Sequence, residues 1–208
     1  MRILFLDEVH PVLSERLIEA GHSCIQATQL ALEEVKKAVV NADGIVIRAR
    51  FKLDEGILQH AKQLKFIARS GAGMENIDAN YCKSRNILLY NAPEGNRNAV
   101  GEHALGMLLS LLNNLNKGDK EVRSGKWDRE GNRGEELDGK TVGIIGFGNN
   151  GQAFAKKLRG FDVEVLAYDK YKKDFGTDFV EESTLEEIYK NADVVSFHIP
   201  QNEETIYI

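Results

Sequence analysis

The sequence has 208 residues, enough for one or two domains with a real core. Hydrophobic residues make up 42% and charged residues 28%, an ordinary balance for a soluble globular chain. The net charge of −5 argues against nucleic acid as the main partner, and no run of about 18 apolar residues exists to span a membrane.

The chain opens on Met1-Arg2-Ile3 and runs at once into a strand-like stretch ending at Asp7, which is too short for a signal peptide. Cys24 and Cys82 lie far apart and in no metal-ligand spacing. Free thiols in a reducing cytoplasm, and no metal site, are expected. Pro11–Ala20 places Val12, Leu13, Leu17 and Ile18 at helical spacing, with Gly21 to stop the helix. His22–Thr28 reads as a second strand, Leu32–Val40 as a helix and Gly44–Arg48 as a third strand. Asp54–Ala61 is helical, Leu64–Ala68 is a fourth strand, Ile77–Ser84 a short helix and Ile87–Tyr90 a fifth strand. Five βα repeats of this length make a small doubly wound parallel sheet on their own. Proline and glycine break the rhythm near Asn91-Ala92-Pro93, so a domain boundary is placed there, giving domains 1–92 and 93–208.

Residues 97–125 form the longest helical segment, apolar almost all round at first. That pattern argues for burial on more than one side, as in contact with a second subunit. His103 on this helix reads as a hydrogen-bonded packing residue. A polar, glycine-rich connection follows to Gly139 and contains Trp127.

The chain then reaches its most informative stretch. Thr141–Ile145 is a short apolar run of the kind found in buried parallel strands. Gly146-Phe147-Gly148-Asn149-Asn150-Gly151 follows directly, then a helical Gln152–Arg159 and a strand Val163–Tyr168. Asp169 closes the unit, 18 positions after Gly151. Each part suits a dinucleotide. Gly146 permits a tight turn, Gly148 lets the backbone approach a diphosphate, and Gly151 lets the helix pack on the strand. The helix N-terminus offers free N–H groups and a positive dipole end. A carboxylate at 169 stands where the adenosine ribose is held, and it would repel a 2′-phosphate. NAD is therefore expected over NADP, although Lys170 and Lys172 pull the other way. Thr184–Lys190 is a helix and Asp193–Ile199 another strand, ending in Pro200. The Glu181-Glu182 and Glu186-Glu187 pairs read as solvated loop and helix faces.

Together these residues resemble the D-2-hydroxyacid dehydrogenase family. The likeness is carried by Arg69 to Asp78 (RSGAGMENID), Asn91 to Asn96 (NAPEGN), Glu102, Gly125-Lys126-Trp127, the glycine motif and His198-Ile199-Pro200. The resemblance implies a flavodoxin-like substrate domain followed by the first half of a Rossmann NAD-binding domain. It implies that the long helix serves a homodimer. It also implies hydride transfer between NAD and C2 of a small 2-hydroxy or 2-keto acid, within the branch acting on 3-phosphoglycerate in serine synthesis. Glycerate, hydroxypyruvate or D-lactate substrates, and a corepressor-like NAD-sensing protein, remain as alternatives.

By the same resemblance the catalytic arginine, acid and histidine lie beyond the His198 segment, so no catalytic residue is assigned and the chain alone is expected to be inactive. His198 and Pro200 become cofactor-side residues, with Gly146, Gly148, Asn149, Asn150, Gly151 and Asp169. Asn150 stands where the family usually has an aliphatic residue. Ser70, Gly71, Ala72 and Gly73 form a loop whose N–H groups suit a substrate carboxylate, with Asn96 near it. Arg48 and Arg50, at the carboxyl end of the third strand, are expected to clamp a phosphate, with Arg69 in support. Finally, strand Thr141–Ile145 is expected to be left as an exposed sheet edge.

Overall fold

The computed structural model describes residues 1–202 and 204–207, and the chain divides into two compact units, Met1–Gly95 and Asn96–Ile208. The first unit holds five parallel strands, β1 (Arg2–Phe5), β2 (Ser23–Gln26), β3 (Gly44–Ile47), β4 (Phe66–Arg69) and β5 (Leu88–Tyr90). Their order in space is β2-β1-β3-β4-β5, the flavodoxin-like order. Helices α1 (Val12–Glu19), α2 (Leu32–Ala38), α3 (Glu55–Leu58) and α4 (Ala79–Ser84) connect them. Ile3, Leu4, Phe5, Ile45 and Ile47 are all buried, because both faces of the central strands are covered. That is why β1 and β3 read as continuous apolar runs and not as alternating ones. The strand order reverses between β1 and β3, so the crevice at their carboxyl ends is bounded by Asp7 and the Arg48–Arg50 loop.

The second unit begins with α5 (Arg97–Leu112) and α6 (Leu115–Arg123). It continues through β6 (Thr141–Ile145), α7 (Asn149–Leu158), β7 (Glu164–Tyr168), β8 (Val180–Glu182), α8 (Leu185–Asn191) and β9 (Val194–Phe197). These strands are parallel, in the order β8-β7-β6-β9. The order reverses at β6, which places a second crevice outside the carboxyl ends of β6 and β9.

Four expectations are corrected here. First, Thr141–Ile145 is not an edge. After α8 the chain crosses to its open side, and β9 pairs with it from Val142↔Val194 to Ile145↔Phe197. The edge is β9, where Val195 and Phe197 are exposed. Second, the segment 97–125 is not one helix. Asn114 takes a left-handed conformation (φ 52°), which asparagine tolerates better than most residues. The Leu112 carbonyl at the break is taken by the Glu135 N–H from outside the helix. Third, Glu181 and Glu182 lie in strand β8, and Glu182 accepts the Phe175 N–H. Fourth, His103 is exposed, and its imidazole makes no hydrogen bond among the described residues.

Packing in the second unit depends on close backbone approach. A Cβ at Gly101 on α5 would fall 2.9 Å from the Ala153 carbonyl on α7, and one at Gly143 on β6 would fall 2.5 Å from Ile188 on α8. Thr184 and Glu187 form a capping box that starts α8, leaving Glu187 held to the backbone and not free as an acid or base.

Candidate functional site

The crevice of the second unit is built on the turn between β6 and α7. Gly146 sits at φ 95°, in the region that favours glycine, and a Cβ there would meet the His198 carbonyl at 2.7 Å. A Cβ at Gly151 would lie 2.1 Å from the Gly146 carbonyl, so α7 starts hard against the turn. Gly148 is different: among the described residues no atom beyond its chain neighbours lies within 4 Å of the Cβ it lacks. The space above it is open.

Around that opening the N–H groups of Gly148, Asn149, Asn150 and Gly151 have no acceptor among the described residues. They are the orphan donors of a helix start, backed by the dipole of a ten-residue helix. This cradle fits a diphosphate on its own geometry. Asn150 adds a buried side-chain Oδ1 with no hydrogen-bond partner.

Asp169 follows β7, and its side chain turns toward the glycine turn. Its Oδ2 accepts the Phe147 N–H at 2.8 Å, and its Oδ1 accepts those of Tyr171 and Lys172 at 2.9 and 3.0 Å. A carboxylate offers about four acceptor sites, so the three donors leave room for a sugar hydroxyl. His198 follows β9, with its N–H on the Ile145 carbonyl and Nε2 3.0 Å from Ser196 Oγ. Burial pushes its imidazole below the usual histidine range. Pro200 lies two residues further on, where its carbonyl accepts from Thr205.

In the first unit, three arginines stand at strand ends with different surroundings. Arg50 donates to the carbonyls of Leu6, Ala27 and Leu30, and its guanidinium lies 4.7 Å from the centre of the Phe51 ring. Arg69 donates to the carbonyls of Arg48 and Gly73 and pairs with Glu75 at 3.1 Å. Both forks are occupied in holding loops. The Arg48 guanidinium has no protein partner among the described residues. In the neighbouring loop the Ser70 N–H donates to Ile47 and the Gly71 N–H to Arg69, while those of Ala72 and Gly73 have no acceptor among the described residues. Asn96 lies in the second unit, at the residue before α5, with no capping bond from its side chain.

Sequence reading assigned no site role to Asp7 or Gln152 and marked Lys172 only as a charge near the cofactor. One oxygen of Asp7 accepts the successive N–H groups of Arg48, Ala49 and Arg50 at 2.7, 3.1 and 3.2 Å, fixing the arginine loop. An acid at the carboxyl end of β1 was its only signal. Gln152 and Lys172 both donate to the Phe147 carbonyl, which nothing local predicts. Among the described residues no three His, Cys, Asp or Glu side chains are grouped to hold a metal, and no helix is long and apolar enough to cross a membrane.

Residues 105–208 match the family model described as D-isomer specific 2-hydroxyacid dehydrogenase, NAD binding domain. The chain belongs to this dehydrogenase family. Its cofactor domain is accordingly an NAD domain, and the match includes the whole glycine turn and Asp169. Among curated members, D-3-phosphoglycerate dehydrogenase of Archaeoglobus fulgidus is 34% identical over 99% of this chain. Hydroxypyruvate reductase of Thermotoga maritima is 35% identical over 88% of it. The chain spans 40% of the first relative's length and 60% of the second's. Among solved structures, NAD-dependent formate dehydrogenase of Staphylococcus aureus in complex with NAD superposes with a TM-score of 0.83, at 26% identity, over 98% of this chain and 66% of that one. These relatives are all named as dehydrogenases or reductases, and they differ in the acid that their names state.

Proposed function

We propose that the protein is an NAD-dependent oxidoreductase acting on the CH–OH group of a D-2-hydroxy acid, with 3-phosphoglycerate as the substrate and serine synthesis as its setting. The observation that carries the cofactor half is the open glycine turn with Asp169 aimed at it. Asn149, Asn150 and Gly151 would hold the diphosphate through their N–H groups, and Asp169 the ribose hydroxyls. His198 and Pro200 would line the nicotinamide side. Bound NAD supplies the hydride acceptor for C2 of the acid.

Arg48 supports the choice of a phosphorylated acid. Its guanidinium has no hydrogen-bond or ion-pair partner among the described residues, and Asp7 fixes the backbone that carries it. Such a fork can take a phosphate with two parallel N–H bonds. Ala72 and Gly73 would present their N–H groups to the carboxylate, in a loop that Ser70, Gly71 and Arg69 keep in place. Arg50 is assigned to holding the loop and not to the phosphate. The 35% identical hydroxypyruvate reductase supports a second reading, in which the acid carries no phosphate. A homodimer is proposed from the exposed Met107, Leu111, Leu115, Val122 and Trp127 on and after α5 and α6. A cytoplasmic setting is proposed from the two free thiols.

The test, made on the full-length enzyme, is NADH-dependent reduction of 3-phosphohydroxypyruvate against hydroxypyruvate and glyoxylate, in wild type and Arg48→Ala. The proposal expects preference for the phosphorylated acid, lost by about tenfold or more in the variant. Equal use of all three acids by both proteins would favour the second reading.

A further inference from the structure

Phe147, the second residue of the glycine turn, is held from outside the turn by three side chains. Asp169 Oδ2 accepts its N–H at 2.8 Å, while Gln152 Nε2 and Lys172 Nζ both donate to its carbonyl at 3.1 Å. Asp169 Oδ1 also accepts the backbone N–H of Lys172 at 3.0 Å. The result is a closed ring: turn to Asp169, Asp169 to the Lys172 backbone, and the Lys172 side chain back to the turn. Lys170 takes no part, because its ammonium is paired with Glu204 at 2.6 Å.

The direction of these bonds matters. The Phe147–Gly148 peptide is trans, so its C=O and N–H point opposite ways. Two donors that pin the Phe147 carbonyl on one side therefore aim the Gly148 N–H to the other. That N–H has no acceptor among the described residues, like those of Asn149, Asn150 and Gly151 that follow it. Gly148 itself carries nothing that would block approach from that side. An anion site assembled from backbone dipoles is strong only if the dipoles are set before the ligand arrives.

We propose that Lys172 is a positioning residue for the cofactor diphosphate, acting through the Phe147 carbonyl to hold the Gly148 N–H in the direction the diphosphate needs. The proposal rests on the reading that this turn holds the diphosphate.

The test is titration of the 208-residue chain with NADH, ADP-ribose and adenosine, by calorimetry, for wild type, Lys172→Met and Lys172→Arg. Each variant is also melted. Lys172→Met weakens NADH and ADP-ribose by about tenfold, the scale of one hydrogen bond to a charged donor. Adenosine, which has no diphosphate, is bound within about twofold of wild type, and the melting midpoint is kept. Lys172→Arg restores most of the loss, because its fork reaches the same carbonyl. The comparison is repeated in a Gln152→Leu background, where Lys172 is the carbonyl's remaining side-chain donor and its removal costs more. Unchanged NADH binding on losing Lys172 in both backgrounds overturns the proposal, as does an equal loss for adenosine. Wild-type chain that binds neither NADH nor ADP-ribose overturns the cofactor reading of the turn, and the role of Lys172 with it.

Discussion

The α-carbon of Gly151 stands so close to the Gly146 carbonyl that a Cβ on residue 151 would lie 2.1 Å from that oxygen. Gly148, three residues earlier, has open space in the same place. The two glycines therefore fail differently. Gly151→Ala must push α7 off β6, and overpacking of this kind costs about 1–3 kcal/mol. Gly148→Ala meets no atom beyond its chain neighbours among the described residues, and its backbone has a negative φ in the extended range (φ −79°, ψ −154°). It should leave stability within about 0.5 kcal/mol of wild type and still lose NADH binding, because the methyl stands where the diphosphate approaches. Urea denaturation and NADH titration of both variants check this. Wild-type affinity in Gly148→Ala would place the diphosphate elsewhere.

Asp169 connects the turn to the loop after β7 through three backbone N–H groups. Asp169→Ala should destabilise the second unit by about 1–2 kcal/mol and weaken NADH. It should also narrow the gap between NADPH and NADH by about tenfold, since the charge that repels a 2′-phosphate is gone while Lys170 and Lys172 remain. Parallel titrations with the two cofactors read this out. An unchanged ratio would show that Asp169 braces the loop without choosing the cofactor.

The strand–turn–helix unit was legible in the sequence because its causes are local. Apolar β-branched residues, glycines at fixed spacing and an acid at a strand end each act within a few positions. The five βα repeats of the first unit and their parallel sheet were legible for the same reason. What was not legible depends on partners distant in sequence. β8 is three residues long and exists because Val165, Leu166 and Ala167 on β7 offer it a register. The α5–α6 break needs the Glu135 N–H, which arrives from 23 residues away. Arg48 and Arg50 look alike in sequence, and only the carbonyls of Leu6, Ala27 and Leu30 tell them apart.

Those carbonyls yield a further pair of outcomes. Arg50→Ala removes a charged donor from three backbone acceptors and should cost about 1–2 kcal/mol, discounted for its partial exposure. Arg48→Ala removes no side-chain hydrogen bond or ion pair among the described residues and should be neutral within about 0.5 kcal/mol. Thermal melts of the two variants separate them. Equal destabilisation would mean that Arg48 also holds the fold, and its assignment to a substrate phosphate would lose its physical basis.

Burial also gives the second unit a distinct pH response. The His198 imidazole packs 5.4 Å from the Phe154 ring and is held below the usual histidine range because water is excluded from it. On unfolding it returns to water and titrates near about 6.5. Above that pH both states are neutral, and the residue adds no pH dependence. Below it the unfolded chain takes up a proton that the folded chain resists, so stability falls as pH drops from about 6.5 toward the depressed folded value. The slope is at most about 1.4 kcal/mol per pH unit. The hydrogen-bonded carboxylates behave alike but lower down. Asp43 is held down first by Lys65, and Glu187 by the Thr184 N–H, so their stability is lost below about pH 4.5. His198→Gln keeps a partner for Ser196 and removes the titration. Urea denaturation across a pH series should show the loss between about pH 6.5 and 5 flattened in this variant, with the more acidic loss intact. A profile identical to wild type in the upper window would assign that loss to another group.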